Sequence, residues 1–210
     1  MPNPEALQYG TYYHIYNRGN NGENIFREKR NYQYFLDLYT KHVAPFVDTY
    51  AYVLLRNHFH FSVRIKEKEE ILGDNQNLTG FRDLSGLSER LPSQKFANLF
   101  NAYAKSINKS YGRSGALFER PFGRKLITGE AHLFHLIKYI HFNPQKHGFV
   151  TDFREWQHSS YQSLILPLQT KLNRDEVLII FGGLTAFEKE HTYEVIDKDF
   201  LLNFIGDDVD

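Results

Sequence analysis

The sequence contains no cysteine and no long hydrophobic run. The absence of cysteine excludes disulfide bonds, thiolate metal sites and a cysteine nucleophile. No apolar stretch approaches the 18 residues of a membrane-spanning helix, and the polar residues 1–10 lack the apolar core of a signal peptide. We therefore expect a soluble, cytoplasmic protein with no membrane partner.

The sequence also has no excess of charge, because 25 lysines and arginines balance 25 aspartates and glutamates. The balance is uneven along the chain. Residues 90–125 contain eight basic residues and one acidic residue, whereas residues 171–210 contain four basic and ten acidic residues. A basic strip suited to phosphate groups is therefore compatible with a net charge of zero.

Hydrophobic periodicity predicts the order of the elements. Strands are predicted at residues 11–17, 47–55, 58–65 and 118–128. Helices are predicted at residues 31–43, 95–111 and 129–142, and Asn143-Pro144 is expected to end the last one, because a residue before proline disfavours the helical conformation. This order is typical of an α+β, ferredoxin-like (RRM-like) antiparallel sheet with helices on one face.

The length of 210 residues suits one catalytic domain with an appendage. We expect the catalytic domain at residues 1–150, with an irregular excursion at about residues 67–94, and a C-terminal acidic helical extension at residues 151–210. In the extension, Asn173 is expected to cap a helix that ends at Gly182-Gly183, and Thr185-x-x-Glu188 matches a capping box. A last helix is predicted at residues 198–205.

Two histidines stand two positions apart in the predicted strand at residues 58–65. Side chains alternate along a strand, so Phe59 and Phe61 face the core while His58 and His60 share the other face. Their Cα atoms are then roughly 6 to 7 Å apart, which lets both imidazoles converge on one divalent ion. The alternative is a pair of solvated histidines on an exposed sheet face. His14, on the first strand, is expected to be a sheet histidine and not a ligand.

Tyr139 lies at the edge of the apolar face of the predicted helix at residues 129–142. Asn143 follows four residues later on the same side, so the tyrosine oxygen and an amide oxygen point to the same place. The alternative is a boundary tyrosine beside a residue at the end of the helix.

Five segments in this order resemble the HUH-type single-tyrosine transposases of the insertion-sequence-200 superfamily, most closely the REP-associated tyrosine transposases. The segments are YHIYNRGN at residues 13–20, RNHFHF at 56–61, NKSYGRSGALF at 108–118, YIHFNP at 139–144 and WQHSSY at 156–161. Each motif is weak alone, but the ordered set is specific. The resemblance covers roughly residues 9–161.

The resemblance implies a metal-dependent DNA transposase that acts as a single-strand endonuclease and strand transferase. It implies that Tyr139 attacks a phosphodiester to give a 5′-phosphotyrosine and a free 3′-hydroxyl. It also implies that His58 and His60 bind Mg²⁺ or Mn²⁺. The family's third ligand, often a glutamine, lies four residues beyond the tyrosine, where this chain has Asn143. Single-stranded or hairpin DNA is the expected partner, and a homodimer is one expected assembly.

The basic strip is the predicted DNA-binding surface, because it mixes cations for phosphates with aromatic rings for unstacked bases. Its predicted contacts are Arg113, Arg120, Arg124, Lys125, Lys105 and Lys109. Two other functions are compatible with the sequence. A non-catalytic nucleic-acid-binding module on an RRM-like fold would expose stacking aromatics on its strands, and a metal hydrolase with an H-x-H site would need further carboxylate or histidine ligands.

Overall fold

A four-stranded antiparallel sheet lies at the centre of the computed structural model, which describes residues 5–74 and 88–192. The strands are β1 (Tyr12–Arg18), β2 (Val47–Leu54), β3 (His58–Ile65) and β4 (Gly123–Leu126), in the spatial order β2-β3-β1-β4. Strand β3 has the predicted bounds. Strand β4 is shorter than predicted, because Phe118 makes only an isolated bridge to Gly19 before the chain joins the sheet.

Helices cover both faces of this sheet. They are α1 (Lys29–His42), α2 (Lys68–Asp74), α3 (Leu91–Ser110), α4 (Glu130–Lys146), α5 (Tyr161–Ile165), α6 (Arg174–Phe181) and α7 (Leu184–Glu190). Helices α1 and α3 pack against each other and against one face, as the ferredoxin-like pattern predicted, so the α+β fold class is confirmed. Helix α4 lies on the other face, against β2 and β3, so the expectation that the helices cover one face only is wrong for this helix.

The alternation of side chains along the strands separates two hydrophobic cores. Phe59 and Phe61 of β3 are buried with residues of α1 and α3 in the first core. Ala51 and Val53 of β2 are buried in the second core, with residues of α4, α6 and α7. The face of β3 that carries His58 and His60 is therefore turned toward α4.

Helix α4 continues past Pro144, so the predicted end at Phe142 is wrong. Proline cannot donate a hydrogen bond to the carbonyl four residues earlier. The turn is nevertheless held, because the side-chain amide of Asn143 donates to the Tyr139 carbonyl at 2.7 Å and the His147 N–H donates to the Asn143 carbonyl at 3.0 Å. As a result, Tyr139, Asn143 and His147 follow one another at four-residue spacing on one side of the helix.

The excursion expected at residues 67–94 is partly helical. Helix α2 lies within it, and α3 begins at Leu91, four residues earlier than predicted. Residues 75–87 of the excursion lie outside the described part of the chain. No helix in the described part is long and apolar enough to cross a membrane.

The described part of the C-terminal extension contains the predicted helix after Asn173, which ends at Gly182 in the left-handed conformation, with a φ of 81°. The Asn173 amide donates to the Glu176 carboxylate at 2.6 Å and does not cap a backbone N–H. The capping-box interpretation of Thr185 is wrong, because α7 begins at Leu184 after Gly183. The helix predicted at residues 198–205 lies outside the described residues.

Candidate active site

Strand β3 presents His58 and His60 side by side toward α4, with ring centroids 5.2 Å apart. His60 is buried and His58 is partly exposed. Burial is the first cause that lowers the pKa of His58, to about 3, and the nearby His147 adds to it. Burial, followed by the neighbouring His14, places the pKa of His60 well below its usual value. Both imidazoles are thus neutral at pH 7, which is the form that binds metals.

Neighbouring side chains orient the two imidazoles. The Nδ1 atom of His58 lies 2.8 Å from the Asn57 amide oxygen, which can only accept, so Nδ1 donates and Nε2 keeps its lone pair. The Nδ1 atom of His60 lies 2.9 Å from Nε2 of His14. Nε2 of His60 is buried and has no hydrogen-bond partner among the described residues. The two Nε2 atoms are therefore the ones available to a ligand.

His14 is a histidine of the sheet, as expected, but the sequence interpretation did not foresee its contact with His60 at the site. It is 1% exposed, it pairs in register with Ser62 of β3, and its ring stacks on that of His60 at 5.1 Å. Burial lowers its pKa to about 3, with a smaller contribution from Lys125. Side chains alternate along strand β1, so the sequence indicates which face of the sheet His14 occupies. The β1–β3 register, which places it beside His60, is not visible in the sequence.

Helix α4 lays Tyr139 against this pair of histidines. The Tyr139 ring is 1% exposed, and its centroid lies 5.5 Å from that of His60 and 6.3 Å from that of His14. The Lys146 ammonium lies 5.3 Å from the centre of the same ring. Two turns beyond Tyr139, the His147 ring lies 4.8 Å from that of His58. His147 was also missed, because the predicted helix ended before it.

Asn143 occupies the turn of α4 between Tyr139 and His147, and it is fully buried. Its Nδ2 atom is bound to the Tyr139 carbonyl, whereas its Oδ1 atom has no hydrogen-bond partner among the described residues. Because Tyr139 faces His60 and His147 faces His58, the turn between them lies over the same pair of imidazoles. Strand β3 and helix α4 thus bring His58, His60 and Tyr139 together, and Asn143 lies on the turn of α4 between Tyr139 and His147.

The donor atoms of His58, His60 and Asn143 suit a mixed nitrogen and oxygen site for a divalent ion, because Nε2 of His58 keeps its lone pair and, among the described residues, Nε2 of His60 and Oδ1 of Asn143 have no hydrogen-bond partner. Within residues 5–74 and 88–192, no group of three or more histidines, aspartates or glutamates is placed to hold a metal ion. A metal at this site would therefore depend on the amide as its third protein ligand.

A cleft of about 310 Å³ opens beside the histidines. His58, His60 and His147 line it, and at its rim Arg18 forms an ion pair with Glu119 at 3.2 Å. Gly123 lies against the Tyr16 ring, where a Cβ atom would be only 2.2 Å from the ring carbons. Glycine at this position therefore lets β4 close the side of the cleft.

The residues of the predicted DNA-binding surface have different environments. Arg120, Lys105 and Lys109 are exposed. Lys125 lies on β4 in register with His14, at the edge of the site. The Arg113 guanidinium is paired with Glu23 and donates to the Asn108 amide oxygen at 2.7 Å.

Arg124 is also used within the protein. Its guanidinium donates to the Glu5 carbonyl at 2.9 Å and to the Ser93 hydroxyl at 3.0 Å. Arg113 and Arg124 are therefore held by the fold, whereas Arg120 and the two lysines of α3 are open to a ligand.

Comparisons with known proteins agree with the resemblance found in the sequence. No family model matches the chain. It is 27% identical over 117 residues to the Haemophilus influenzae "Putative REP-associated tyrosine transposase", a match that spans 56% of this chain and 60% of that protein. The chain thus covers less than two thirds of that relative. A solved structure of a REP-associated tyrosine transposase bound to a REP hairpin covers 81% of this chain, with a TM-score of 0.55 and 16% identity.

Proposed function

We propose that this chain, which is similar in sequence and in fold to REP-associated tyrosine transposases, is a DNA transposase that cuts and rejoins single-stranded DNA through Tyr139. The observation that carries the proposal is the packing of the Tyr139 ring against His60 and His14, next to a cleft lined by His58 and His60. A phosphodiester in that cleft would meet two neutral imidazoles, with the Tyr139 ring packed against that of His60 at the edge of the cleft.

In the proposed reaction, the Tyr139 oxygen forms a bond to phosphorus and loses its proton. The bond from phosphorus to the 3′-oxygen breaks, which leaves a 5′-phosphotyrosine and, after protonation, a 3′-hydroxyl. A phenol is a poor nucleophile near neutral pH. The Lys146 ammonium, 5.3 Å from the centre of the Tyr139 ring, would stabilise negative charge that develops at the reacting groups. Rejoining is the reverse attack by a 3′-hydroxyl, so the ester conserves the bond energy.

We infer that His58, His60 and Asn143 would hold the divalent ion, Mg²⁺ or Mn²⁺. Such an ion neutralises charge on the non-bridging phosphate oxygens. The protein's own part is to keep each donor atom free, through Asn57 for His58 and His14 for His60. The Asn143 amide contributes its oxygen while its nitrogen stays on the α4 backbone.

We infer hairpin DNA with a single-stranded flank as the substrate, because the solved structure with the same fold is bound to a REP hairpin. The exposed cations Arg120, Lys105 and Lys109 suit a phosphate backbone. Since neutralised phosphates release counterions, affinity should fall steeply as salt rises.

A non-catalytic module on an RRM-like fold is less well supported. Modules of that type bind RNA with aromatic side chains exposed on the sheet. Here helix α4 covers the corresponding face, with Tyr139 against His14 and His60. A metal hydrolase is also less well supported, because the described residues include no group of three or more histidines and carboxylates placed to hold a metal ion.

The proposal is tested by cleavage of a 5′-labelled hairpin with single-stranded flanks in the presence of Mn²⁺. We expect a product whose 3′-hydroxyl a DNA polymerase can extend. His60→Ala should abolish the product and leave DNA binding intact. His42→Ala, which changes a histidine of α1 on the opposite side of the sheet, is the matched control. A product that cannot be extended, or equal cleavage by His60→Ala, would refute the mechanism.

A further inference from the structure

We propose that one face of α3 reads the bases of the single-stranded DNA next to the cleavage site, an inference that rests on the proposed function. A groove of about 1050 Å³ runs between α3 and the segment at residues 115–124. It is more than three times as large as the cleft beside the histidines. Nothing in the proposed chemistry uses this groove.

Two exposed amides, Gln94 and Asn101, line the groove from α3. In the described part of the chain, neither side chain has a hydrogen-bond partner, so both the donor and the acceptor of each amide face the solvent. Asparagine and glutamine amides can pair with a base edge through both groups at once. Asn108, one helical repeat further, is different, because its amide is bound to Arg113 and to the Gly115 carbonyl and thereby holds the groove wall.

The spacing on α3 suits a run of bases. Gln94 and Asn101 are seven residues apart, which is about 10 Å along a helix. Bases that stack at about 3.4 Å would place three nucleotides over that length. Ala97 and Ala104 lie on the same groove-lining face, and their small side chains leave room for a base to approach the helix.

Charge and continuity identify the occupant as a DNA strand. Arg90 and Arg120 line the groove, and the Arg124 guanidinium lies 3.9 Å from the centre of the Phe122 ring, which gives a flat surface on which a base can stack. Asn17, Glu119 and Pro121 line both the groove and the cleft beside His58 and His60. A strand cut at the cleft would therefore continue along α3.

The test measures the affinity of the full chain for a set of fluorescent hairpins that differ only in the three nucleotides next to the hairpin, at one salt concentration. Discrimination is the ratio of dissociation constants between the weakest and the tightest flank. Gln94→Ala and Asn101→Ala should each reduce that ratio about tenfold, because each removes one base contact. Asn98→Ala is the matched control, since Asn98 is an exposed amide on α3 that does not line the groove.

A second variant, Ala104→Leu, fills the groove and should weaken binding to every flank. Unchanged discrimination in both amide variants would overturn the inference, and so would a wild-type protein that binds all flanks equally. If the amide variants bound every flank more weakly by the same factor, the groove would contact phosphates alone, and this result would also overturn the inference. The wild type could discriminate between flanks through Asn101 and yet form no covalent adduct with DNA. In that case the proposed function fails, but the inference that α3 reads bases stands.

Discussion

At the scale of single residues, His14 decides which nitrogen of His60 can bind a ligand. If Nδ1 of His60 donates to Nε2 of His14 over their 2.9 Å separation, Nε2 of His60 keeps its lone pair for an ion. His14 itself stays neutral because it is buried. It acts as a positioning residue, since it touches His60 and not the phosphate.

We predict that His14→Ala lowers metal-dependent cleavage by roughly 10- to 100-fold, the usual cost of removing a residue that orients a metal ligand. DNA affinity should be unchanged, and a higher Mn²⁺ concentration should restore part of the rate. Cleavage rates over a Mn²⁺ titration measure both effects. His14→Gln, whose amide oxygen can still accept a hydrogen bond from His60, should lose less of the cleavage rate. Equal Mn²⁺ dependence in the wild type and His14→Ala would show that His14 has no such role.

The residues of the site differ in how far the sequence could predict them. His58 and His60 follow from strand alternation, which is a local property. Tyr139 and Asn143 follow from helical spacing together with the resemblance. His14 depends on the register of two strands 46 residues apart, and His147 depends on a helix that continues through Pro144. Strand register and the tolerance of a proline are decided by tertiary contacts, which no local pattern contains.

At the scale of elements, α7 is tied to the helix that bears Tyr139 by a buried chain of hydrogen bonds. His191 donates to the Phe187 carbonyl, and its Nε2 accepts from His141 at 2.8 Å. His141 in turn accepts from the Ser160 hydroxyl at 2.8 Å, and that oxygen accepts from the Tyr52 N–H at 2.9 Å. Burial lowers the pKa of both histidines and keeps them neutral, and a carbonyl can only accept, so the direction of each bond is fixed.

The chain of bonds predicts that acid weakens the fold. Burial lowers the pKa of His191 from 6.5 to about 4. The unfolded state therefore binds the proton first, and stability that is present above pH 6.5 is lost as the pH falls toward 4. The loss from this group is up to about 3 kcal/mol. Urea unfolding at pH 7, 6 and 5 measures how the free energy of unfolding changes with pH. This change should be smaller in His191→Asn, which lacks the titrating group. Identical slopes would contradict this assignment.

An ion pair between the buried Lys138 and the partly exposed Glu190 makes a second link between α4 and α7. The Lys138 side chain is only 4% exposed, and its ammonium lies 3.1 Å from the Glu190 carboxylate. Glu190→Gln would leave a buried charge without its counter-charge, at a cost of about 1 to 3 kcal/mol in the free energy of unfolding. Glu188→Gln, an exposed change on the same helix, should cost almost nothing. Equal effects of the two variants in thermal unfolding would refute the role of the pair.

At the scale of the whole molecule, the described part of the acidic extension packs behind α4 and not across the basic strip. Val177, Phe181 and Phe187 are buried in the same core as Ile140. The Glu176 carboxylate accepts from Tyr50 at 2.7 Å and so docks α6 on the sheet. Apolar residues on a helix need burial, but the surface that buries these could only be seen in the fold.

We predict that a chain ending at Pro167 aggregates, because it lacks α6 and α7 and exposes the second core to water. Three buried side chains of this size contribute roughly 1.5 to 3 kcal/mol each. Size-exclusion chromatography and thermal unfolding of the shortened chain measure the effect. A monomeric, folded truncation that binds hairpin DNA would show that the extension is dispensable for the core.

The central claim, that Tyr139 attacks the DNA, is tested most directly by trapping its covalent product. The full chain is incubated with labelled single-stranded hairpin DNA and Mn²⁺, denatured in SDS and analysed by gel and by peptide mass spectrometry. We predict an SDS-resistant adduct that maps to Tyr139 and is absent in Tyr139→Phe, whose folding and DNA affinity are retained. An adduct that persists in Tyr139→Phe, or a wild-type protein that binds the hairpin without forming one, would contradict the claim.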